Sequence, residues 1–347
     1  VLETPSRFEH TYREGITMSI TVGQPNKSRR TKKVHSEVEN KPLIAGDKPN
    51  SFAYWLYFIP GILLTAVFVV YPVLYNVTLS FLHWKGGFSA VSFAGFENWA
   101  HLLQDSTFWL SFRNIIYMII VMVVVPTLLG LILAAILFDV IGRRFSGKVA
   151  SFLRATYYLP QVIPIAVAGV LFGWILYPDK TGVLNQFLTF VTGHDVEINW
   201  VGGTGSTALF SIGLLMVWIQ LGYPTVIFMA ALQRVDPELY EAAELDGAGW
   251  FRRFQAITKP QIRPEIFVVT LTMTIAALKV FGPVFILTQG GPNKATYVPS
   301  YYAYIQYFGN ATDKGYAATI ATSVAIVVSI VAVLFLRAQR RAEEKEA

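Results

Sequence analysis

The sequence contains no cysteine. That excludes a disulfide framework, a thiolate-held metal and a thiol nucleophile. Charge is scarce too. Asp, Glu, Lys and Arg make up 14% of the chain and hydrophobic residues 54%, where a soluble domain carries about 25% charge. The deficit points to lipid as the main solvent. The histidines (His10, His35, His83, His101 and His194) all lie outside the long apolar runs, and no Asp or Glu lies inside one; Asp139 and Glu265 sit at edges. Proton-coupled carriers keep ionisable groups within their spans, so the pattern disfavours one, although sodium coupling through backbone carbonyls stays open. HExxH and GxSxG are absent from the sequence, which removes the motif support for intramembrane hydrolysis. "GRRFSGKV", Gly142–Val149, approaches phosphate-loop spacing, but Val149 replaces the hydroxyl residue and an apolar run precedes it in place of a strand. This chain is therefore not expected to bind nucleotide.

What is present is a set of six apolar runs: Trp55–Ser80, Arg113–Phe138, Leu153–Tyr177, Thr207–Leu232, Ile266–Thr288 and Tyr316–Arg337. Each is long enough for a bilayer core of about 30 Å, so the expected fold is an all-α membrane protein with six transmembrane helices. Lys and Arg concentrate in the N-terminal segment, after run two (Arg143, Arg144, Lys148), between runs four and five (Arg234, Arg252, Arg253, Lys259, Arg263) and at the C-terminus. The other three loops hold only Lys85, Lys180, Lys294 and Lys314. The bias predicts that both termini and the loop 234–264 are cytoplasmic. The net charge of +6 is thereby explained by topology, and nucleic acid is not an expected partner. Residues 1–51, with "NKSRRTKK", read as a disordered cytoplasmic tail ahead of an uncleaved first helix, with Met18 open as an alternative start. Residues 52–337 form the membrane domain and 338–347 a short cytoplasmic tail.

Within the runs, Asn114, Gln161, Gln220, Tyr223 and Lys279 are polar or amphipathic, and Trp174 and Trp218 add flat faces. Lys279 stands mid-run, where an ammonium costs about 2.5–3.5 kcal/mol. These seven residues are the candidates for a solute path, and their chemistry suits a hydroxylated, neutral or mildly anionic solute. Hydrogen bonding between helices is the alternative role for each. Pro160 and Pro164 remove helix donors around Gln161 and predict a kink in run three. The tyrosines after run five (Tyr297, Tyr301, Tyr302, Tyr304 and Tyr307) read as an interfacial belt or as a contact surface for a partner.

One segment breaks the oily pattern, "PELYEAAELDGAGWFRRFQAITKPQIRP", Pro237–Pro264. Asp236 suits a helix N-cap, Pro237 its first position and Gly247 a left-handed C-terminal residue. A second helix over Ala248–Thr258 is expected to stop before Pro260. The first helix is acidic, so an anionic leaflet repels it, and a protein partner is the better fit. Leu239, Tyr240, Leu245, Trp250 and Phe254 are its apolar knobs.

"EAAELDGAGWFRRFQAITKP" resembles the EAA loop of ABC importer permeases. Glu241, Ala242, Ala243, Gly247, Ile257 and Pro260 match in register, while Lys259 replaces the leucine of that pattern. "LTQGGPNKAT", "FENWAHLL" and "YYLPQVIP" are similar to carbohydrate uptake permeases of the maltose and glycerol-phosphate type, and the likeness covers 52–337. The resemblance implies a non-enzymatic inner-membrane pore subunit paired with a second permease. Two separate ATPase chains would bind ATP and Mg and seat the EAA helices in their clefts, and an extracytoplasmic solute-binding protein would deliver a sugar. The chain itself would hold no cofactor and no metal. The stretch 81–112 is too short for the large outer domain that some relatives insert. Rival readings are an ion-coupled carrier or channel for a small polar solute, and a membrane scaffold that moves nothing.

Overall fold

A computed structural model describes residues 51–138, 147–309 and 313–344. The predicted disordered tail, Met18, most of Gly142–Val149 and the last three residues lie outside the described residues. The packing below is that of residues 59–344.

The described residues are mostly helical. Four helices are long and apolar enough to cross a membrane: Leu56–Leu79, Ser106–Ile136, Gly205–Leu232 and Lys314–Arg341. Two further apolar segments are broken. Ser151–Val162 meets Ile165–Ile175 at 96°, and Trp250–Gln261 meets Arg263–Leu278 at 71°. Counting each bent pair once gives up to six spans, numbered one to six below in chain order, with span five taken as Arg263–Leu278.

Local sequence accounts for the starts and stops. Asp105 caps span two by accepting from the Thr107 amide at 2.8 Å. Thr204 and Thr207 cap each other's backbone at the head of span four. In span three Pro160 stays within the helix, and the break falls at Pro164, whose backbone is extended (φ −55°, ψ 134°). Pro164 offers no amide and disfavours helical geometry in the residue before it. Span five ends sooner than its hydropathy implies. Its helix stops at Leu278, with Lys279 as the capping residue, and helix resumes at Gly282 and passes into a wide turn at Val284–Thr288. Gly282–Pro283 explains the stop, because Pro283 cannot donate to the Lys279 carbonyl. Lys279 is therefore at a helix end and exposed, not midway along a continuous helix as the apolar run implied.

Span four is the centre of the bundle. Ile212, Phe228 and Leu232 from it pack with Met118 and Met122 of span two and Val269 and Met273 of span five, all nearly solvent-free. Glycines bring backbones together. A Cβ at Gly222 would lie 2.5 Å from the Tyr157 carbonyl oxygen, and one at Gly130 would lie 3.0 Å from the Thr225 amide nitrogen. Spans three, four and two thus touch main chain to main chain.

The end of the bundle away from the 234–264 loop is closed by short elements. Leu82–His83 pairs antiparallel with Ser92–Phe93 ahead of a helix at Glu97–Gln104. A helix at Pro299–Phe308 packs against the start of span six. Tyr302 and Tyr316 each donate to the Asp105 carboxylate at 2.6 Å. Tyr301 donates to the Gln289 carbonyl at 2.8 Å. Tyr301 and Tyr302 are buried, so these two form neither a lipid-facing belt nor a free contact surface. Burial by itself raises the Asp105 carboxyl, but the two tyrosine hydroxyls and the Thr107 and Phe108 amides outweigh it and hold the group below the ordinary carboxylate range. Burial, then the neighbouring carboxylate, pushes the Tyr302 hydroxyl up.

Candidate functional site

Two places combine exposure, broken regularity and polar chemistry. One is an open cavity in the side of the bundle and the other is the 234–264 loop.

The cavity measures about 410 Å³, within the range of small-molecule sites. The break in span three and the stop at the end of span five open onto it. Ile163 and Ile165 flank the break in span three, and Val280, Gly282 and Pro283 form the one after span five. Met122, Met216 and Phe281 supply apolar wall, and the amides of Gln161 and Gln220 supply polar groups. Among the described residues neither amide has a protein hydrogen-bond partner. Interrupted helices also free backbone carbonyls, which membranes tolerate only where protein or a water-lined cavity receives them. The arrangement can hydrogen-bond a hydroxylated solute through amides that both donate and accept.

The seven path candidates separate in space. Gln161 and Gln220 line the cavity together. Lys279 precedes the lining residue Val280. Trp218 is half-buried and packs on Phe172 at 5.4 Å, in a satellite cluster beside span three. Tyr223 packs against the main core. Trp174 faces outward, 67% exposed. Asn114 does something else: its amide donates to the carbonyls of Ala295 (2.7 Å) and Tyr297 (2.8 Å). It pins a loop in which Gln289, Asn293 and Lys294 all adopt positive φ. Such backbone costs of order 1–2 kcal/mol per non-glycine residue and persists only when its surroundings hold it.

The 234–264 loop is a helical hairpin. The Asp236 carboxylate accepts from the Glu238 amide at 3.0 Å, Pro237 begins a helix that ends at Leu245, and Gly247 follows with φ +73°. The second helix begins at Trp250 and passes through Pro260 to Gln261, beyond its expected stop. A wide turn at Phe254–Thr258, closed by the Lys259 amide on the Phe254 carbonyl, shifts the bonding pattern so that Pro260 follows without ending the helix. Three contacts tie the hairpin together. Arg234 and Glu265 form an ion pair at its neck. Arg253 reaches Glu244 at 3.0 Å. The Tyr240 and Thr258 hydroxyls meet at 3.0 Å in the interior.

Of the five expected knobs, Tyr240 is buried and packs on Phe138 at the end of span two (6.3 Å between rings). Phe254 also turns inward, onto the main core. The outward apolar surface is instead Leu245 (90% exposed), Phe251 (66%), Leu239 and Trp250. Glu241 and Ala242 are exposed beside it, Ala243 and Ile257 are half-buried, and Gly247 and Pro260 are exposed. Sequence reasoning missed Phe251 and misplaced Tyr240. Helical spacing alone separates their faces, but the choice of which face is covered depends on Phe138, far away in sequence.

The family model described as "Binding-protein-dependent transport system inner membrane component" matches residues 127–344. The chain is 33% identical over 296 residues to the probable ABC transporter permease YurN of Bacillus subtilis (strain 168), covering 85% of this chain and 99% of that one. It is 31% identical over 288 residues to the lactose transport system permease LacF of Rhizobium radiobacter, covering 82% and 93%. A solved bacterial alginate ABC transporter, in complex with an alginate pentasaccharide-bound periplasmic protein, contains a chain that superposes with a TM-score of 0.70 at 22% identity, covering 84% of this chain and 95% of that one.

Proposed function

From its membership of the family of binding-protein-dependent transport system inner membrane components, we propose that the chain is the membrane-spanning subunit of an ATP-driven importer of a sugar or sugar-like solute, whose path runs past Gln161 and Gln220. The observation that carries the path is the convergence of the break in span three, the stop at the end of span five and two unpartnered amides on one cavity. The solute class draws on the lactose relative and the alginate transporter. A second permease completes the pore, a periplasmic binding protein delivers solute, and two ATPase chains hold ATP and Mg.

In this reading six spans cross the inner membrane, both termini and the hairpin face the cytoplasm, and the first hairpin helix seats in an ATPase cleft. Moving a two-state equilibrium from 1:99 to 99:1 needs about 5.5 kcal/mol of differential binding. An exposed ion pair contributes roughly 0–1 kcal/mol. The exposed Leu245, Phe251 and Trp250 are the groups able to supply the rest as a packed contact. Tyr240 then passes the motion to span two through Phe138 and to span five through Thr258.

The test is purification of the complex from native membrane, followed by ATP hydrolysis with and without sugar-loaded binding protein. Stimulation is expected, and replacing Gln161 and Gln220 with Ala should raise the half-saturating sugar concentration for uptake. Gly247→Val forces a β-branched residue into left-handed backbone at a cost of about 1–2 kcal/mol. It should stop uptake while membrane insertion proceeds. Full uptake by that variant at normal expression would overturn the coupling role.

A further inference from the structure

The inner side of the elbow between the second hairpin helix and span five is a groove of about 550 Å³, lined by Gln255, Lys259, Pro260, Arg263, Ile266 and Phe267. Its polar groups are two cations and one amide, and none of the six residues is acidic. The next carboxylate in sequence, Glu265, is engaged by Arg234 at the neck of the hairpin. Lys259 and Arg263 are exposed. Arg263 also lies over the Phe267 ring at 6.0 Å. Ile266 and Phe267 are half-buried and lie about 4.5–6 Å further along the helix axis, at 1.5 Å per residue. The groove is thus cationic at its mouth and apolar one turn deeper.

We propose that this groove holds the headgroup phosphate of an anionic inner-leaflet phospholipid, with an acyl chain running down past Ile266 and Phe267. The proposal rests on the orientation given above, which places the elbow at the cytoplasmic headgroup level. Two arguments select lipid over protein. The order of chemistry along the helix, cation then hydrocarbon, is that of a phospholipid from phosphate to tail. Charge is also divided between the two limbs of the hairpin. The first helix carries Glu238, Glu241, Glu244 and Asp246, and an anionic leaflet repels it. The second limb carries Arg252, Lys259 and the Arg253 that pairs with Glu244, and Arg263 opens the helix that follows, so the leaflet attracts this side. Lys259 occupies the position where the EAA pattern has leucine, so this chain's own departure from the pattern supplies half the charge of the groove. A lipid seated there fills the inside of a 71° bend and touches Pro260, at the end of the coupling segment.

The experiment uses the intact purified importer, its bound lipids identified by native mass spectrometry after delipidation and titration with phosphatidylglycerol or phosphatidylcholine. The wild type should retain phosphatidylglycerol selectively. With roughly 1 kcal/mol per cation near an anionic headgroup, Lys259→Leu should weaken retention about fivefold, and the double variant Lys259→Gln, Arg263→Gln about thirtyfold. Lys259→Leu restores the residue of the pattern and serves as the variant least able to disturb folding, while Lys259→Arg should keep the wild-type affinity. Unchanged retention in the double variant would overturn the proposal. So would displacement of the lipid by inorganic phosphate at matched concentration, which assigns the groove to a free anion. Cross-linking of Lys259 to an ATPase chain in the resting complex would assign it to protein and equally overturn the lipid. Sugar-stimulated ATP hydrolysis, measured in the same preparation in phosphatidylcholine, reports separately on the transport reading, so either reading can fail alone.

Discussion

The two ends of this bundle are both rich in aromatic side chains, and each has inward and outward ones. Phe93, Phe96 and Phe308 are exposed at the Asp105 end, and Tyr240 and Phe254 turn inward at the hairpin end. The contrast lies between a buried tyrosine cluster and the apolar face around Leu245. At the end around Asp105, Tyr301 and Tyr302 turn inward, and the Tyr301, Tyr302 and Tyr316 hydroxyls each find an acceptor. At the hairpin end, Phe251 and Trp250 turn outward beside Leu245. Burial of an aromatic contributes most when its polar handle is satisfied, and the first end meets that condition internally. The second leaves apolar area in water, as one half of an interface does. In the reading proposed above, the tyrosine cluster holds shape and the Leu245 face is completed by another chain.

Charging the outward face should give the largest effect. Leu245→Asp is expected to weaken ATPase association by about 2 kcal/mol or more, the scale of an interface hot spot, roughly thirtyfold. Its own thermal stability should be unchanged, because Leu245 touches little else in this chain. Co-purification yield together with melting temperature checks this, and a drop in melting temperature equal to that of a core variant would erase the contrast.

The converse variant is Asp105→Ala, which leaves the buried Tyr302 and Tyr316 hydroxyls without their acceptor. A loss of about 1.5–3 kcal/mol of stability is expected, with ATPase association intact. The pH dependence follows in sign. The folded carboxyl titrates below its unfolded value, so its contribution is present above the ordinary carboxylate range and is lost as pH falls through the lowered folded value. Acid melts of wild type should show that loss, and melts of the alanine variant should not.

The smallest effect is expected from Tyr240→Phe, which removes the hydroxyl contact with Thr258 but keeps the ring on Phe138. About 1 kcal/mol is expected, read as partial uncoupling of ATP hydrolysis from uptake with docking preserved.

Local signals carried much of this into the sequence. Asp236, Pro237 and Gly247 announce the first hairpin helix, and the apolar runs announce the spans. Pro164 marks the break in span three. The stop at the end of span five was hidden because Lys279 reads as a costly residue midway along an apolar run until Pro283 is set against its carbonyl. The Asp105 cluster was invisible, since its partners stand 197 and 211 residues away and no local pattern links them. Asn114 looked like a path residue for the same reason: its two acceptors lie beyond position 290. In the cavity Gln161 and Gln220 were legible as polar groups in oily surroundings, but their convergence required the fold.

The glycines at 130 and 222 carry a mechanical consequence. Where backbones rest against each other with nothing between them but the rigid Pro224 ring, there is no soft layer to shear. Spans two, three and four are therefore braced like planks nailed face to face, and they can tip together but not slip lengthwise past one another. The part of span three in that slab is Ser151–Val162, ahead of its bend, so in the proposed transport reading opening comes from rotation of the slab about that bend and the end of span five.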